Sequence, residues 1–187
     1  MRRGLVVMAG VVLAAACGAP TAGQPVPAAG FGPVSTAQSS TAQSSTAVQS
    51  QRSVDGVDLC ALLSKPDLDA AGGLVGTPAH RSSAFPDSCG YPLGQGASGD
   101  LVLVALYKPL DQVRRDQPEG HEEDTLGNKT WLHCAVADGY RTCTAAVAVR
   151  DDRSLVVAIT RRDTSEDKVL RLLQPLAERA VERLPRA

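Results

Sequence analysis

The chain has 187 residues, which is enough for one domain and additional segments, because domains average roughly 100–200 residues. Its formal net charge is −1, and without the first sixteen residues, which contain two arginines and no acidic residue, it becomes −3. A mildly acidic chain lacks the basic surface that nucleic acid requires, and its six aromatic residues are too scattered to form a base-stacking platform.

The first sixteen residues have the pattern of a secretory signal. Arg2 and Arg3 precede thirteen apolar residues, 4–16. A membrane-spanning helix needs about 20 apolar residues, so this stretch is too short to serve as one. The pattern predicts a signal peptide over residues 1–16 and therefore export of the chain.

A cysteine follows this stretch directly, at Cys17. Small residues before a cysteine resemble the lipobox at which bacterial lipoproteins are diacylated and cleaved. Ordinary secretion is the alternative, because Ala14 and Ala16 also form a small-x-small cleavage site. The resemblance implies lipidation of Cys17, and two or three acyl chains would hold the mature chain at the outer face of the cytoplasmic membrane.

Residues 17–53 combine Cys17 with a stretch of Ala, Pro, Gly, Ser, Thr and Gln. No charged residue occurs between Gly4 and Gln51, and large apolar residues are almost absent from the stretch after Cys17. Such a composition buries too little apolar surface to offset the entropy of ordering. We expect a disordered tether here, followed by one globular domain over residues 54–187.

Four cysteines remain after Cys17, an even number that indicates disulfides in an exported chain. Asp138 and Gly139 lie between two apolar, alternating runs, which predicts a hairpin with a two-residue turn. Counting outward from that turn places Cys134 opposite Cys143, at a non-hydrogen-bonded pair whose side chains stand close. Cys60 and Cys89 then pair by elimination.

Periodicity predicts helices at both ends of the domain and strands between them. The N-terminal helical pattern covers 57–72, with a restart signal at Ser64, Pro66 and Asp67. The last helix opens with a capping box in Thr164-Ser165-Glu166-Asp167, and Pro175 should kink this helix or split it in two. Strands are predicted at 101–107, 130–136, 140–150 and 154–161, with a further one after Cys89. The fold class is α+β: a mostly antiparallel sheet of about five strands, N-terminal and C-terminal helices packed on it, and two disulfides.

The segment Asp58-Leu59-Cys60-Ala61-Leu62-Leu63 and the later Cys89-Gly90-Tyr91 resemble the actinobacterial lipoproteins grouped as domain of unknown function 3558. That family combines an Asp-x-Cys-x-Leu-Leu helix start with a downstream Cys-x-Trp, behind a lipobox and a polar tether. The resemblance implies an anchored, secreted domain and no catalytic residues. In layout alone the chain is also similar to the disulfide-bonded sensor domain of a mycobacterial serine/threonine kinase, which keeps ligand sensing open.

The predicted hairpin places Trp131 and His133 on the sheet face opposite Cys134, beside Thr144 and Ala146. These side chains could line a pocket, with Trp131, His133 and Thr144 as its residues. The alternative is a tryptophan covered by a helix. We therefore expect either a shallow binding pocket or ordinary packing on this face.

No cofactor or metal site is predicted, because no cysteine or histidine has a Cys-x-x-Cys or His-x-x-x-His spacing. The run His121-Glu122-Glu123-Asp124 could hold a cation, but we interpret it as a solvated loop. Ser165 and Lys168 match Ser-x-x-Lys of penicillin-interacting enzymes without the companion motifs. No catalytic residue is therefore predicted.

Two function classes remain at this stage. The first is a non-enzymatic module in the cell envelope that binds an envelope protein or a small ligand and is held at the membrane by lipid on Cys17. The second is an envelope enzyme or enzyme accessory. A concave, polar pocket with strongly shifted titratable groups would favour the enzyme, and a flat apolar patch would favour a protein partner.

Overall fold

The computed structural model describes residues 48–82, 85–94 and 97–187. The predicted signal peptide, Cys17 and all of the tether before residue 48 lie outside the described residues. Among the described helices, none is both long and apolar enough to cross a membrane.

The domain is built on one antiparallel sheet of seven strands, so the prediction of an α+β fold with an antiparallel sheet is confirmed and the strand count of about five is wrong. The strands are β1 (Ala79–Arg81), β2 (Ser88–Pro92), β3 (Leu101–Tyr107), β4 (His121–Thr125), β5 (Asn128–Ala137), β6 (Tyr140–Arg150) and β7 (Arg153–Arg162). Their order in the sheet is β1-β2-β3-β7-β6-β5-β4. The two additional strands, β1 and β4, are the edges, where short and mostly exposed segments carry no alternating apolar pattern.

In the part of the chain that the structure describes, three α-helices accompany the sheet: α1 (Lys65–Leu68), α2 (Leu110–Asp116) and α3 (Glu166–Arg183). The predicted helix over 57–72 is instead a chain of short turns, with 3₁₀ segments at Leu59–Ala61 and Asp69–Ala71 on either side of α1. The new helix start predicted at Ser64 is confirmed, because Ser64 and Asp67 form a capping box at the beginning of α1. The sequence carried no prediction of α2.

Helix α3 runs through Pro175 without being split. A proline removes one backbone hydrogen bond from a helix interior. Here the exposed Pro175 lies between the buried Leu173 and Leu176, whose packing against the sheet holds both halves of the helix in place. The capping box predicted at the start of α3 is absent, because the Ser165 side chain makes no capping hydrogen bond.

The two faces of the sheet differ in what covers them. The front face packs against α3 and the N-terminal turns and forms the main core, with Leu155, Val157 and Ile159 of β7 at its centre. The back face forms a smaller core with α2, through Leu110 and Val113. Both faces of the central strands are apolar, as the continuous apolar run of β3 predicts.

Both predicted disulfides are present. Cys60 is bonded to Cys89 with a Cα–Cα distance of 5.2 Å, and Cys134 is bonded to Cys143 with a Cα–Cα distance of 4.1 Å. Cys134 and Cys143 are direct partners in the β5–β6 register. Asp138 and Gly139, with φ of 52° and 77°, form the two-residue turn that sets this register.

The domain begins within the segment that the sequence assigns to the tether. The backbone N–H of Arg52 donates to the Val149 carbonyl at 3.0 Å, and that of Ser53 donates to the Pro185 carbonyl at 2.8 Å. The buried Arg52 guanidinium also donates to the Leu184 carbonyl at the end of α3. A cation at a helix C-terminus is stabilising, so these residues fasten the entering chain to the domain.

Tyr91, in the place of the tryptophan of the Cys-x-Trp pattern, is fully buried on β2. Its hydroxyl donates to the Leu59 carbonyl at 2.6 Å and accepts from the Leu63 N–H at 3.3 Å. We expect Tyr91→Phe to lower the free energy of unfolding by about 1–3 kcal/mol, because the buried Leu63 N–H loses its partner and the Leu59 carbonyl is left with the longer, 3.4 Å hydrogen bond from the Leu62 N–H. Urea denaturation at pH 7 measures this, and an unchanged midpoint would contradict it.

Burial raises the pKa of Tyr91 to about 12 from its ordinary value of 10.0. The folded state therefore favours the neutral hydroxyl, and this contribution to stability is complete below pH 10 and is lost as the pH rises through about 12. The Tyr91→Phe variant lacks this group. Its stability should consequently fall less than that of the parent protein over the same alkaline range.

Candidate binding face

The back face of the sheet carries mostly small side chains next to the β5–β6 turn. Cross-strand pairing arranges nine residues in three rows of three, which we call the hairpin face. The rows are Ala137, Tyr140 and Arg162; Ala135, Thr142 and Thr160; and His133, Thr144 and Ala158. Directly paired residues share one face of a sheet, so β5, β6 and β7 together present these side chains as one surface.

An open cavity of about 440 Å³ lies over the first two rows. It is lined by Gly99, Ala135, Ala137, Asp138, Tyr140, Thr142 and Thr160. The hydroxyls of Thr142 and Thr160 are 3.0 Å apart and hydrogen bond to each other. One of these hydroxyls donates to the other, and alanines make up much of the remaining lining, so the floor of the cavity is largely apolar.

Tyr140 forms one border of the cavity. Its hydroxyl donates to the Ser98 carbonyl, and the Arg162 guanidinium lies 5.6 Å from the centre of its ring. Gly99 has a φ of 106°, and a Cβ there would meet the Tyr140 hydroxyl at 3.1 Å. Glycine at this position therefore allows the loop before β3 to pass close to the ring.

Trp131 lies one row beyond the hairpin face, opposite Ala146. Its indole N–H donates to the Gln117 carbonyl at 2.9 Å, and the Arg114 guanidinium of α2 lies 5.6 Å from its ring. A Cβ on Gly120 would collide with the indole. Helix α2 and the turn after it thus pack on this tryptophan, which is the helix-covered arrangement that the sequence offered as the alternative to a pocket. Trp131 therefore borders the hairpin face and is not part of it.

His133 and Thr144 are paired in the third row and are both half-buried. The His133 ring has no hydrogen bond or ion pair to any residue that the structure describes. An imidazole can both donate and accept hydrogen bonds. His133 is therefore a polar group that a molecule bound over the adjoining rows could use.

The charged run His121 to Asp124 forms the edge strand β4, so its interpretation as a loop is wrong. Glu122 is ion-paired with Arg114 of α2 and lies 3.1 Å from Lys129. Exposed charges on an edge strand oppose pairing with another chain. This acidic segment accordingly has a structural role as the outer strand of the β4–β5 hairpin.

The side chains with clearly shifted pKa values, within the described ranges, lie away from the hairpin face. Burial acts to raise the pKa of Asp67, but hydrogen bonds from Arg183 and Ser64 outweigh it and lower the pKa to about 2. A hydrogen bond to Asp116 raises the pKa of Lys108. Asp67 and Tyr91 thus belong to contacts that hold the domain together, and Lys108 belongs to an exposed ion pair.

Comparison with known proteins gives a family without an assigned activity. The model of the proteins of unknown function DUF3558 matches residues 12–182, which is most of the chain. No curated protein and no solved structure matches the chain. Any functional assignment must therefore be argued from the residues of this chain.

Proposed function

The chain belongs to the DUF3558 family of proteins of unknown function, and from that premise we propose that it is an exported lipoprotein whose domain binds a cell-envelope protein through the hairpin face. The observation that carries this proposal is the open, largely apolar cavity that adjoins the half-buried His133. Catalysis is not part of the proposal.

The character of the hairpin face supports binding over chemistry. Enzyme sites combine an enclosed cavity with titratable groups whose pKa values are shifted for their task. Here the cavity is open and floored by Ala135, Thr142 and Thr160, whereas the shifted Asp67 lies in α1 and the shifted Tyr91 lies on β2, away from this face. An apolar surface of this kind is typical of a contact site.

The openness of the cavity also favours a protein partner over a small molecule. Small-molecule sites usually enclose most of their ligand's surface. The hairpin face spans three strands, or about 10 Å across at the usual strand spacing, and continues from the cavity to His133. We propose that apolar side chains of the partner pack on the alanine and threonine floor while a polar group hydrogen bonds to His133.

The leader supports the membrane-anchored part of the proposal. Residues 1–16 read as a signal peptide, Cys17 follows a lipobox-like run, and the uncharged stretch after it would hold the domain away from the lipid headgroups. Mass spectrometry of the mature N-terminus in the native host tests this. Acylated Cys17 supports the anchor, and an unmodified Cys17 would overturn it.

Site-specific photo-crosslinking in intact cells tests the binding face. A photoreactive amino acid at Ala135, in the second row, should capture a defined envelope protein. The same amino acid at Thr77, an exposed residue in the loop before β1, is the matched control and should not capture it. Equal capture from both positions, or no protein adduct from Ala135, would contradict the proposal.

A substitution in the floor of the face supplies the second arm of the experiment. Thr142→Arg places a long charged side chain in the cavity and should abolish capture by the probe at Ala135, whereas Thr77→Arg should leave it unchanged. Circular dichroism of both variants establishes that each is folded. Capture that survives Thr142→Arg in a folded domain would overturn the assignment of this face.

A further inference from the structure

Four side chains with metal-binding donor atoms meet where the first 3₁₀ segment contacts the β1–β2 edge of the sheet. The donor atoms of Asp58, Cys60 and His80 all lie within 4.8 Å of one another. Cys89 is bonded to Cys60. We call these four residues the Cys60 corner.

Independent contacts hold the corner together. The Cys60 N–H donates to Oδ1 of Asp58 at 2.9 Å, which fixes the carboxylate beside the cysteine. Nε2 of His80 lies 3.9 Å from the same oxygen. His80 is also the direct cross-strand partner of Cys89, so both side chains lie on one face of the β1–β2 pair.

We propose that the Cys60 corner is a redox-gated zinc site: when the Cys60–Cys89 disulfide is reduced, the two thiolates, His80 and Asp58 bind one Zn²⁺. Two sulfurs, one imidazole nitrogen and one carboxylate oxygen form a tetrahedral donor set that zinc accepts. This inference revises the expectation of no metal site and uses residues separate from the hairpin face.

The geometry suits such a centre. Zinc bonds of about 2.0–2.3 Å in a tetrahedron separate the donor atoms by about 3.3–3.8 Å. The donor atoms of Asp58, Cys60 and His80 already lie within 4.8 Å of one another, and reduction of the disulfide frees the Cys89 sulfur to move away from that of Cys60. A carboxylate has two oxygens, so Asp58 can keep its hydrogen bond to Cys60 while binding metal. The side chains of His80 and Asp58 are 69% and 64% exposed, which leaves a path for the ion.

Reduction of the Cys60–Cys89 disulfide requires a dithiol reductant, such as a thioredoxin-like protein. A reductant thiolate attacks Sγ of the half-buried Cys60, and Cys89 leaves as a thiolate. The second thiol of the reductant resolves the mixed disulfide, so the reductant becomes a disulfide and the chain gains two thiols. Zinc then displaces the two thiol protons, and reoxidation of the sulfurs by a disulfide oxidant would release the metal.

Zinc binding by the full chain carrying Cys17→Ser tests the proposal, because this substitution removes the fifth thiol. After reduction and removal of metal, the protein should bind one Zn²⁺ per chain, and the oxidised protein should bind none at this site. Cobalt substituted for zinc should give the charge-transfer absorption of cobalt–thiolate bonds. His80→Ala and Asp58→Asn should each weaken zinc binding by at least about tenfold.

Matched controls separate this site from adventitious binding. His121→Ala removes another exposed histidine, 3.5 Å from Glu123 on β4, and should leave zinc binding unchanged. Replacement of Cys134 and Cys143 by alanine should likewise leave it unchanged. Zinc binding that persists undiminished in His80→Ala, that depends on Cys134 and Cys143, or that is absent from the folded, reduced protein would overturn the proposal.

Discussion

Replacement of both Cys60 and Cys89 by alanine should lower the free energy of unfolding by about 3.5 kcal/mol, the largest effect that we expect for this domain. The two cysteines are 29 residues apart, so their bond removes much conformational freedom from the unfolded chain. The bond also joins the first 3₁₀ segment to β2, which Tyr91 joins a second time through Leu59. After loss of the disulfide, the hydrogen bonds of Tyr91 still link this segment to β2.

The second disulfide supplies a matched comparison. Cys134 and Cys143 are only 9 residues apart in an established hairpin, so their replacement by alanine should cost about 2.7 kcal/mol. Chemical denaturation of both double variants under identical conditions measures the difference. A hairpin variant that is the less stable of the two would contradict the loop-length argument.

Asp67→Asn should lower the free energy of unfolding by up to about 2 kcal/mol at pH 7. The Asp67 side chain is 11% exposed and accepts hydrogen bonds from the Ser64 N–H and hydroxyl, both at 2.6 Å, and from Arg183 at the end of α3. Arg183 also donates to the Leu62 carbonyl at 2.8 Å. The carboxylate thus joins the N-terminal turns to the C-terminal helix, and asparagine cannot supply the same charge.

The effect should depend on pH in a defined direction. Since the pKa of Asp67 falls from 3.8 to about 2 on folding, its stabilising contribution is present above pH 4 and is lost as the pH falls through about 2. The stability difference between the parent and Asp67→Asn should therefore shrink between pH 5 and pH 2. Urea denaturation across this range measures the difference.

A control variant on α3 distinguishes a buried contact from surface charge. Glu182 forms an exposed pair with Arg179 at 2.7 Å, and Glu182→Gln should change stability by no more than about 0.5 kcal/mol. A loss in Glu182→Gln equal to that in Asp67→Asn, or a difference for Asp67→Asn that stays constant down to pH 2, would contradict the proposed role of Asp67.

The elements that could be predicted from the sequence are those determined by local chemistry. Asp138 and Gly139 favour one type of turn, and the two-residue period of the strands then pairs Cys134 with Cys143. The continuous apolar run at 101–107 likewise predicts β3. Local turn preference and side-chain alternation suffice in these cases, because the interacting residues are close in sequence or repeat with the period of the strand.

Other elements depend on distant neighbours. The edge strands β1 and β4 are mostly exposed and become strands because β2 and β5 offer them backbone partners. Helix α2 is short, and its place is set by the back face that it covers. The helical pattern over 57–72 breaks into turns whose ends are held by Tyr91 and Arg183, residues far away in sequence.

The two candidate sites illustrate the same division. The hairpin face follows largely from the β5–β6 register, so the sequence alone places Trp131, His133 and Thr144 on one face of the sheet. Its third strand, β7, and the packing of α2 over Trp131 depend on the tertiary structure. The Cys60 corner brings His80 to Asp58 across 22 residues and a strand pair without any motif spacing. Local preferences along the chain thus predicted the Cys134–Cys143 disulfide and the central strands, while the packing of distant segments decided which side chains meet.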